Sequence, residues 1–303
     1  ESVRKYTPKY TSEITGVAEE KIIKAAHIYG QSPRSVVMFA RGVEQQTKGV
    51  DNVALYSSMA LLRGQVGKFA SGVATFTGQG NGQGGREHGQ KADALPGYRK
   101  INDPEAVKYI SSVWGIDPSE MPKEGVSAYE MFDEIQRGKI RAMHVICSNP
   151  AVSAPNTEYI WDGFKKLDFM VVSDFFLSET AEFADVVLPA TSWAEDEGTT
   201  TNLEGRVIRI RKVVEPIGES KPDWEILKVI AERMGKGHLF PYNNAREIFE
   251  EFRIASKGGK ADYYGITWER IEKEDGVFWP CPSEDHPGTP TMFKEKFGTP
   301  DGK

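Results

Sequence analysis

The residues of this chain best suited to chemistry gather in a glycine-rich stretch and at the ends of short apolar runs. Gly80-Asn-Gly82-Gln-Gly84-Gly85 matches G-x-G-x-x-G, whose glycines let backbone amides approach a pyrophosphate at a helix start. A dinucleotide fingerprint also needs a buried strand before it and a helix after it. Here ATFTG precedes and REHGQKADALPG follows, and neither reads as such an element. Two readings stay open: a plain mobile loop, or a close-packed cradle in which Gln79, Asn81, Gln83, Arg86 and Glu87 meet a polar ligand.

Asp174 follows an apolar run, where a carboxylate can accept hydrogen bonds from ribose hydroxyls of a bound nucleotide. Asn149, in the turn Ser148-Asn149-Pro150, occupies the same place after the preceding run. The two could flank one nucleotide or merely cap helices. The polar run Glu195-Asp-Glu-Gly-Thr-Thr-Thr-Asn202-Leu-Glu204-Gly-Arg206 offers paired carboxylates for acid/base work without specifying a reaction. His27, His88, His144, His238 and His286 show no metal-ligand spacing, so packing or surface roles are expected of them. No P-loop or G-x-S-x-G elbow is present.

These residues need elements to hold them. Helical spacing over residues 18–29, with a stop at Gly30, leads into a β-rich run at 35–39, and Asp51 is placed to cap a helix through about 66. Residues 71–98 hold eight glycines without apolar periodicity and read as a long ordered loop. Ser127-Ala-Tyr-Glu130 is an S-x-x-E capping box opening a helix to Arg137. Strands are then expected at 142–147, 169–172 and 186–189, separated by helices at 157–165 and 179–183. Such a rhythm means parallel strands with ligand-binding turns along one rim. Further helices are expected at 223–234, at 244–252 behind the N-x-x-E of Asn244 and Glu247, and at 268–273.

Composition limits the partners. With 38 Lys and Arg against 44 Asp and Glu, the net charge of −6 argues against a surface built for nucleic-acid phosphate or an anionic membrane. No run approaches the roughly 20 apolar residues of a membrane-spanning helix. Cys147 and Cys281 have no CxxC around either, so neither a disulfide framework nor a cysteine-rich metal site is expected within the chain, and a reducing, cytoplasmic setting fits.

Taken together, TGQGNGQGG at 77–85, the SNP turn, VVSDFFLSETAEFADVVLPATSWAEDEGTTTNLEGR and KPDW at 221–224 resemble the molybdopterin oxidoreductase family. The likeness runs in the family's order to ITWERIEKEDGVFWPCP, HPGTP and FGTPDGK, which resemble the segment leading into its C-terminal barrel. Within the family, GREHGQKADALPGY looks most like the catalytic subunits of assimilatory nitrate reductases, with formate dehydrogenases as close relatives. The latter typically carry an arginine before the GQ of this loop, where this chain has Thr77.

The resemblance implies an α/β fold, a three-layer α/β/α arrangement with a mainly parallel sheet of the formate dehydrogenase and DMSO reductase type. Residues 1–256 would hold a molybdopterin guanine dinucleotide, and 257–303 would lead toward a barrel. It further implies molybdenum held by two such dinucleotides, a 4Fe-4S cluster in the parent protein, an electron-donor protein or subunit, and nitrate as substrate. Residue by residue it places Gly78, Gln79, Gly80 and Asn81 near the pterin, Thr77 and Arg86 near the substrate, and Asn149, Ser173, Asp174 and Thr180 around the guanosine and pyrophosphate. Asp223 falls at the guanine end. The four-cysteine cluster motif and the segment supplying the protein ligand to molybdenum are not in this sequence. The chain is therefore expected to be an inactive middle portion without metal ligands, or else a non-catalytic scaffold of the same fold.

Overall fold

A computed structural model of the chain describes residues 3–303. It divides into two compact units, residues 1–79 with 290–303, and residues 80–289.

In the first unit, helix α1 (Pro8–Thr15) opens on a Thr7 Oγ1 that accepts the Tyr10 N–H at 3.2 Å, and ends at Gly16 in the left-handed conformation. Helix α2 (Glu19–Gln31) leads to strand β1 (Val36–Phe39), the short helix α3 (Arg41–Glu44), helix α4 (Gly49–Leu62) and strand β2 (Gly72–Thr75). β1 and β2 pair in parallel, Val36 opposite Gly72 and Phe39 opposite Thr75. Phe39 stacks on Tyr56 of α4 at 5.4 Å. Gly67, at φ 76°, lets the chain pass the Phe293 carbonyl, where a Cβ would come within 2.6 Å.

The second unit carries three hydrophobic clusters, and each belongs to a different set of elements. Its first segment holds helix α5 (Gly82–Glu87), the β-bridge pair β3 (Ala94–Leu95) and β4 (Arg99–Lys100), and helix α6 (Pro104–Trp114), which Asp103 caps. Leu95, Ile101, Ala106 and Ile110 close one cluster there.

Helix α7 (Ala128–Gln136) starts at the expected capping box: Ser127 Oγ accepts from the Glu130 amide at 3.3 Å, and Glu130 Oε2 accepts from the Ser127 amide at 3.0 Å. Strand β5 (Ala142–Ile146), helices α8 (Pro150–Ser153) and α9 (Thr157–Phe164), strand β6 (Phe169–Asp174) and strand β7 (Val186–Pro189) then build a parallel sheet of order β5-β6-β7. Phe132 and Ile135 of α7, Ile160 and Phe164 of α9, and Val145, Met170 and Val172 of the strands form its core.

Strands β8 (Gly198–Thr201) and β9 (Arg206–Ile210) form an antiparallel hairpin. After helices α10 (Asp223–Arg233), α11 (Ala245–Ser256) and α12 (Trp268–Lys273), strand β10 (Val277–Phe278) joins β9. Phe249, Phe252, Tyr263, Ile266, Trp268, Ile271 and Cys281 pack together here, so residues 257–289 fold inside this unit. The α/β class with parallel sheets is as expected.

Several expectations are corrected. The loop read at 71–98 contains β2, α5 and β3, because glycine spacing hides strand and helix alike from periodicity. β2 precedes the G-x-G-x-x-G residues and α5 begins within them, at Gly82. Gly30 lies inside α2 rather than ending it. Asp51 sits in the first turn of α4 and does not cap it; its carboxylate lies 3.9 Å from Lys48 instead. The helix expected at 179–183 is a single 3-10 turn, Ala181–Phe183. The hairpin β8-β9 and helices α1 and α6 were not anticipated.

Candidate functional site

The carboxyl ends of β5, β6 and β7 form the rim on which sequence placed the ligand, as parallel sheets require. Asn149 does not cap α8 with its side chain. Its Oδ1 accepts from the Thr180 amide at 3.1 Å and from Thr180 Oγ1 at 2.7 Å, while its Nδ2 donates to Glu179 Oε2 at 2.7 Å. Thr180 Oγ1 in turn accepts the Ala151 N–H at 3.0 Å, so the turns after β5 and β6 are tied together. Thr180 is fully buried.

Ser173 is buried, and its Oγ lies 2.8 Å from His144 Nε2 on the neighbouring strand. Burial lowers the His144 pKa, which favours the neutral ring. Asp174 spends its carboxylate on its own turn: Oδ1 accepts from the Phe175 amide at 2.8 Å and Oδ2 from Ser178 Oγ at 3.2 Å.

Lys221 bridges to Ala190 beyond β7, and its amide donates to the Pro189 carbonyl at 3.1 Å, which carries Asp223 to the same rim. Asp223 Oδ2 accepts from Cys147 Sγ at 3.3 Å, but Oδ1 is buried without a partner. Burial raises the Asp223 pKa. Burial and the Asp223 carboxylate together push the Cys147 thiol up to about 12, so the thiol stays protonated and donates to Asp223. Asn149, Ser173, Asp174, Thr180 and Asp223 thus converge, joined by His144 and Cys147, which sequence reasoning left out. A polar residue inside an apolar strand was the available signal for His144.

Beside the rim, Phe175, Phe176, Pro189, Ala190, Val214 and Ile217 wall a depression of about 530 Å³, large enough for an aromatic base and its sugar. Glu195 closes its floor with both oxygens engaged. Oε2 accepts from the Ser192 amide at 2.8 Å and Oε1 from the Ile217 amide at 3.0 Å, and these bonds hold its pKa below the usual range. Glu197 pairs with Arg209 at 3.1 Å. Glu195 and Glu197 thus each hold a loop or strand partner.

The glycine-rich residues divide between the two units. Thr77, Gly78 and Gln79 belong to the first unit, Gly80, Asn81 and Arg86 to the second. Asn81, at φ 57°, accepts the Thr201 N–H on Oδ1 at 3.0 Å, and a Cβ at Gly84 would collide with that side chain. Gln83 Nε2 donates to the Leu203 carbonyl at 3.3 Å. The segment is ordered by the hairpin β8-β9 rather than loose. Among the described residues, no group of three or more His, Cys, Asp or Glu side chains is arranged to hold a metal ion.

A family profile described as molybdopterin oxidoreductase matches residues 12–233. The chain is 50% identical over 293 residues to the assimilatory nitrate reductase catalytic subunit of Bacillus subtilis (strain 168), covering 96% of this chain and 41% of that protein. It is 43% identical over 303 residues to the F420-dependent formate dehydrogenase subunit alpha of Methanocaldococcus jannaschii, covering all of this chain and 44% of that protein. The chain therefore spans about two fifths of the length of these relatives. Among solved structures, acetylene hydratase from Pelobacter acetylenicus superposes with a TM-score of 0.62 at 21% identity, over 90% of this chain and 39% of that one, a likeness of fold.

Proposed function

Because the chain belongs to the molybdopterin oxidoreductase family, we propose that it is the cofactor-binding portion of an enzyme that reduces nitrate to nitrite. The name of the 50%-identical relative and Thr77 in place of an arginine support nitrate. The 43%-identical formate dehydrogenase subunit supports formate oxidation on the same scaffold as the second reading.

The observation that carries the cofactor assignment is Asp223 Oδ1, a buried acceptor with no partner at the rim of a parallel sheet. Such a group is costly to leave unmade, and the adjacent N–H donors on one edge of guanine are a complementary partner. The residues present fit a molybdopterin guanine dinucleotide on that ground. Asp223 would take the guanine, with Phe175 and Phe176 offering an apolar wall to a base. Asn149, Ser173, Asp174 and Thr180 would order the turns around the guanosine and pyrophosphate.

Gly78, Gln79, Gly80 and Asn81 would line the pterin, with Thr77 and Arg86 toward the substrate. The chemistry supplied with the bound cofactor is two-electron oxygen-atom abstraction at molybdenum, in the bis(molybdopterin guanine dinucleotide) form. The chain's own residues bind, orient and exclude water. Residues 1–256 are the proposed binding portion and 257–303 the passage toward a barrel. A 4Fe-4S cluster and an electron-donor protein or subunit complete the parent enzyme in this proposal, which works in the cytoplasm.

Viologen-linked turnover by the protein expressed from the whole reading frame, with molybdenum content measured, tests it. Nitrate-dependent oxidation of reduced viologen is the expected result. Formate-dependent reduction instead would move the assignment to the second reading, and silence with both in a molybdenum-free preparation would leave a scaffold.

A further inference from the structure

The chain leaves β5 through Cys147, whose amide donates to the Ser173 carbonyl of β6 at 2.9 Å. Its φ is 48°, a left-handed conformation that strains a residue carrying a Cβ and that glycine adopts freely. Packing does not account for a side chain at this position, because Cys147 as a whole is exposed. The hydrogen bond that this side chain makes among the described residues runs to Asp223, with Sγ 3.3 Å from Oδ2. Backbone strain of this kind gathers at ligand sites, where the side chain that carries it has a role.

Asp223 is the first residue of α10, and its Oδ1 is buried without a partner. The torsion that turns a carboxylate about its Cβ–Cγ bond is broad, so an unheld Asp223 would sweep both oxygens through the site. A donor on Oδ2 fixes that plane, and both oxygens keep lone pairs for the N–H donors of a base. Burial, with the neighbouring carboxylates of Asp223 and Asp174, holds the thiol in its protonated, donating form.

We propose that Cys147 is the positioning residue of the guanine carboxylate. Its thiol holds Asp223 in the plane that meets the N1–H and 2-amino edge of guanine, and so sets the preference for guanine over a base without that amine. This role rests on the reading that the rim takes a guanine dinucleotide, and goes beyond it in giving the thiol a share in base selection.

The test uses protein from the whole reading frame, produced without cofactor and titrated with guanosine diphosphate and inosine diphosphate, which differ by the 2-amino group. Cys147→Ala keeps the strained backbone and removes the donor. It should lose ~5-fold in affinity for guanosine diphosphate and less for inosine diphosphate, so that the ratio of the two falls. Cys147→Ser restores a donor and should return the ratio to that of the parent. Cys147→Gly relieves the strain and removes the donor, so its urea midpoint should hold or rise while its preference for guanosine falls. A side chain that only propped the fold would move stability and binding together. In infrared spectra of the parent, the S–H stretch lost in Cys147→Ala should lie at the lowered frequency of a thiol bonded to a carboxylate. It should return to the free-thiol frequency in Asp223→Ala.

A guanosine-to-inosine ratio unchanged in Cys147→Ala and Cys147→Gly overturns the proposal, and a ratio near one in the parent does the same. So does a fall in the Cys147→Gly urea midpoint that accompanies its loss of binding. If the parent binds neither nucleotide, the guanine reading fails and base selection fails with it. The S–H band decides separately whether the thiol holds Asp223, and a band at the free-thiol frequency in the parent overturns that contact.

Discussion

Val36 and Met38 of the parallel pair β1-β2 are 45% and 56% exposed, whereas Met170 and Val172 of the parallel sheet β5-β6-β7 are 1% and 0% exposed. Both pairs of strands are short, apolar and connected through helices. They differ in what covers them. α7 and α9 lay Phe132, Ile135, Ile160 and Phe164 on the second sheet. In the first unit, α4 is mostly apolar, with Asp51, Asn52, Ser57 and Ser58 as its polar residues, yet Val50, Leu55, Leu61 and Leu62 are exposed, and Ala60 and Phe39 are the unit's buried apolar side chains among the described residues. Parallel sheets are stable when both faces are covered, and a mostly apolar helix normally lays such residues against other elements. One unit therefore closes its own core and the other presents surface that its own residues do not cover.

The largest expected effect lies in the closed core. Phe164→Ala removes a ring packed against Phe132 at 5.5 Å and Phe183 at 5.4 Å, and should cost ~3–5 kcal/mol in urea unfolding. A loss below ~1 kcal/mol would break the contrast, since it would mean that this sheet too is loosely covered.

Acid exposes a second weakness of the closed unit. His88 packs against Phe252 at 4.0 Å beside a cavity of about 330 Å³, and burial lowers its pKa to about 4. A histidine with a depressed folded pKa must charge on unfolding. Stability is thus complete above the unfolded value near 6.5 and falls as pH drops toward 4. The expected loss across that window is ~2 kcal/mol, discounted because the ring borders a cavity, and His88→Gln should remove most of the slope. An unchanged slope in that variant would reassign the acid sensitivity to carboxylates.

The rim of the closed unit gives a smaller effect. Asp223→Asn replaces a pure acceptor with a side chain that presents donors to the same guanine edge. It should weaken guanine-nucleotide binding ~10-fold, about 1.4 kcal/mol, as read by titration of the cofactor-free protein. Parent-like affinity would remove Asp223 from the site.

The same contrast explains what could be read from the amino acids alone. The closed sheet announced itself through local signals: the Ser127–Glu130 box, three short apolar runs, and turn residues after each. Asn149 and Asp174 were legible as residues just past or at a strand end because strand ends are marked in one dimension, whereas Asp223, the first residue of α10, came only from the KPDW resemblance. Glu87, Thr201 and Tyr263 were not read as partners, because they meet across separations of 62 to 176 positions and no periodicity encodes such pairings. The strand and helix inside 71–98 were hidden because glycine contributes neither apolar period nor propensity. Asp51 failed as a cap because α4 starts two residues earlier, at a Gly49 tucked against the Glu44 carbonyl, a contact that sequence does not show.

The smallest expected effect is the most informative for the open unit. Leu62, the last residue of α4, is 87% exposed, so Leu62→Ser in the 303-residue chain should change unfolding stability by less than ~0.5 kcal/mol. Its removal takes away surface that water already reaches, and serine at a helix end carries little propensity penalty. The same substitution in protein from the whole reading frame separates two cases. An equally small effect there would mean that α4 keeps its apolar face in water. A loss of ~2 kcal/mol or more would mean that further polypeptide covers Leu62. The contrast between the two sheets would then be a property of this stretch of chain and not of the assembled protein.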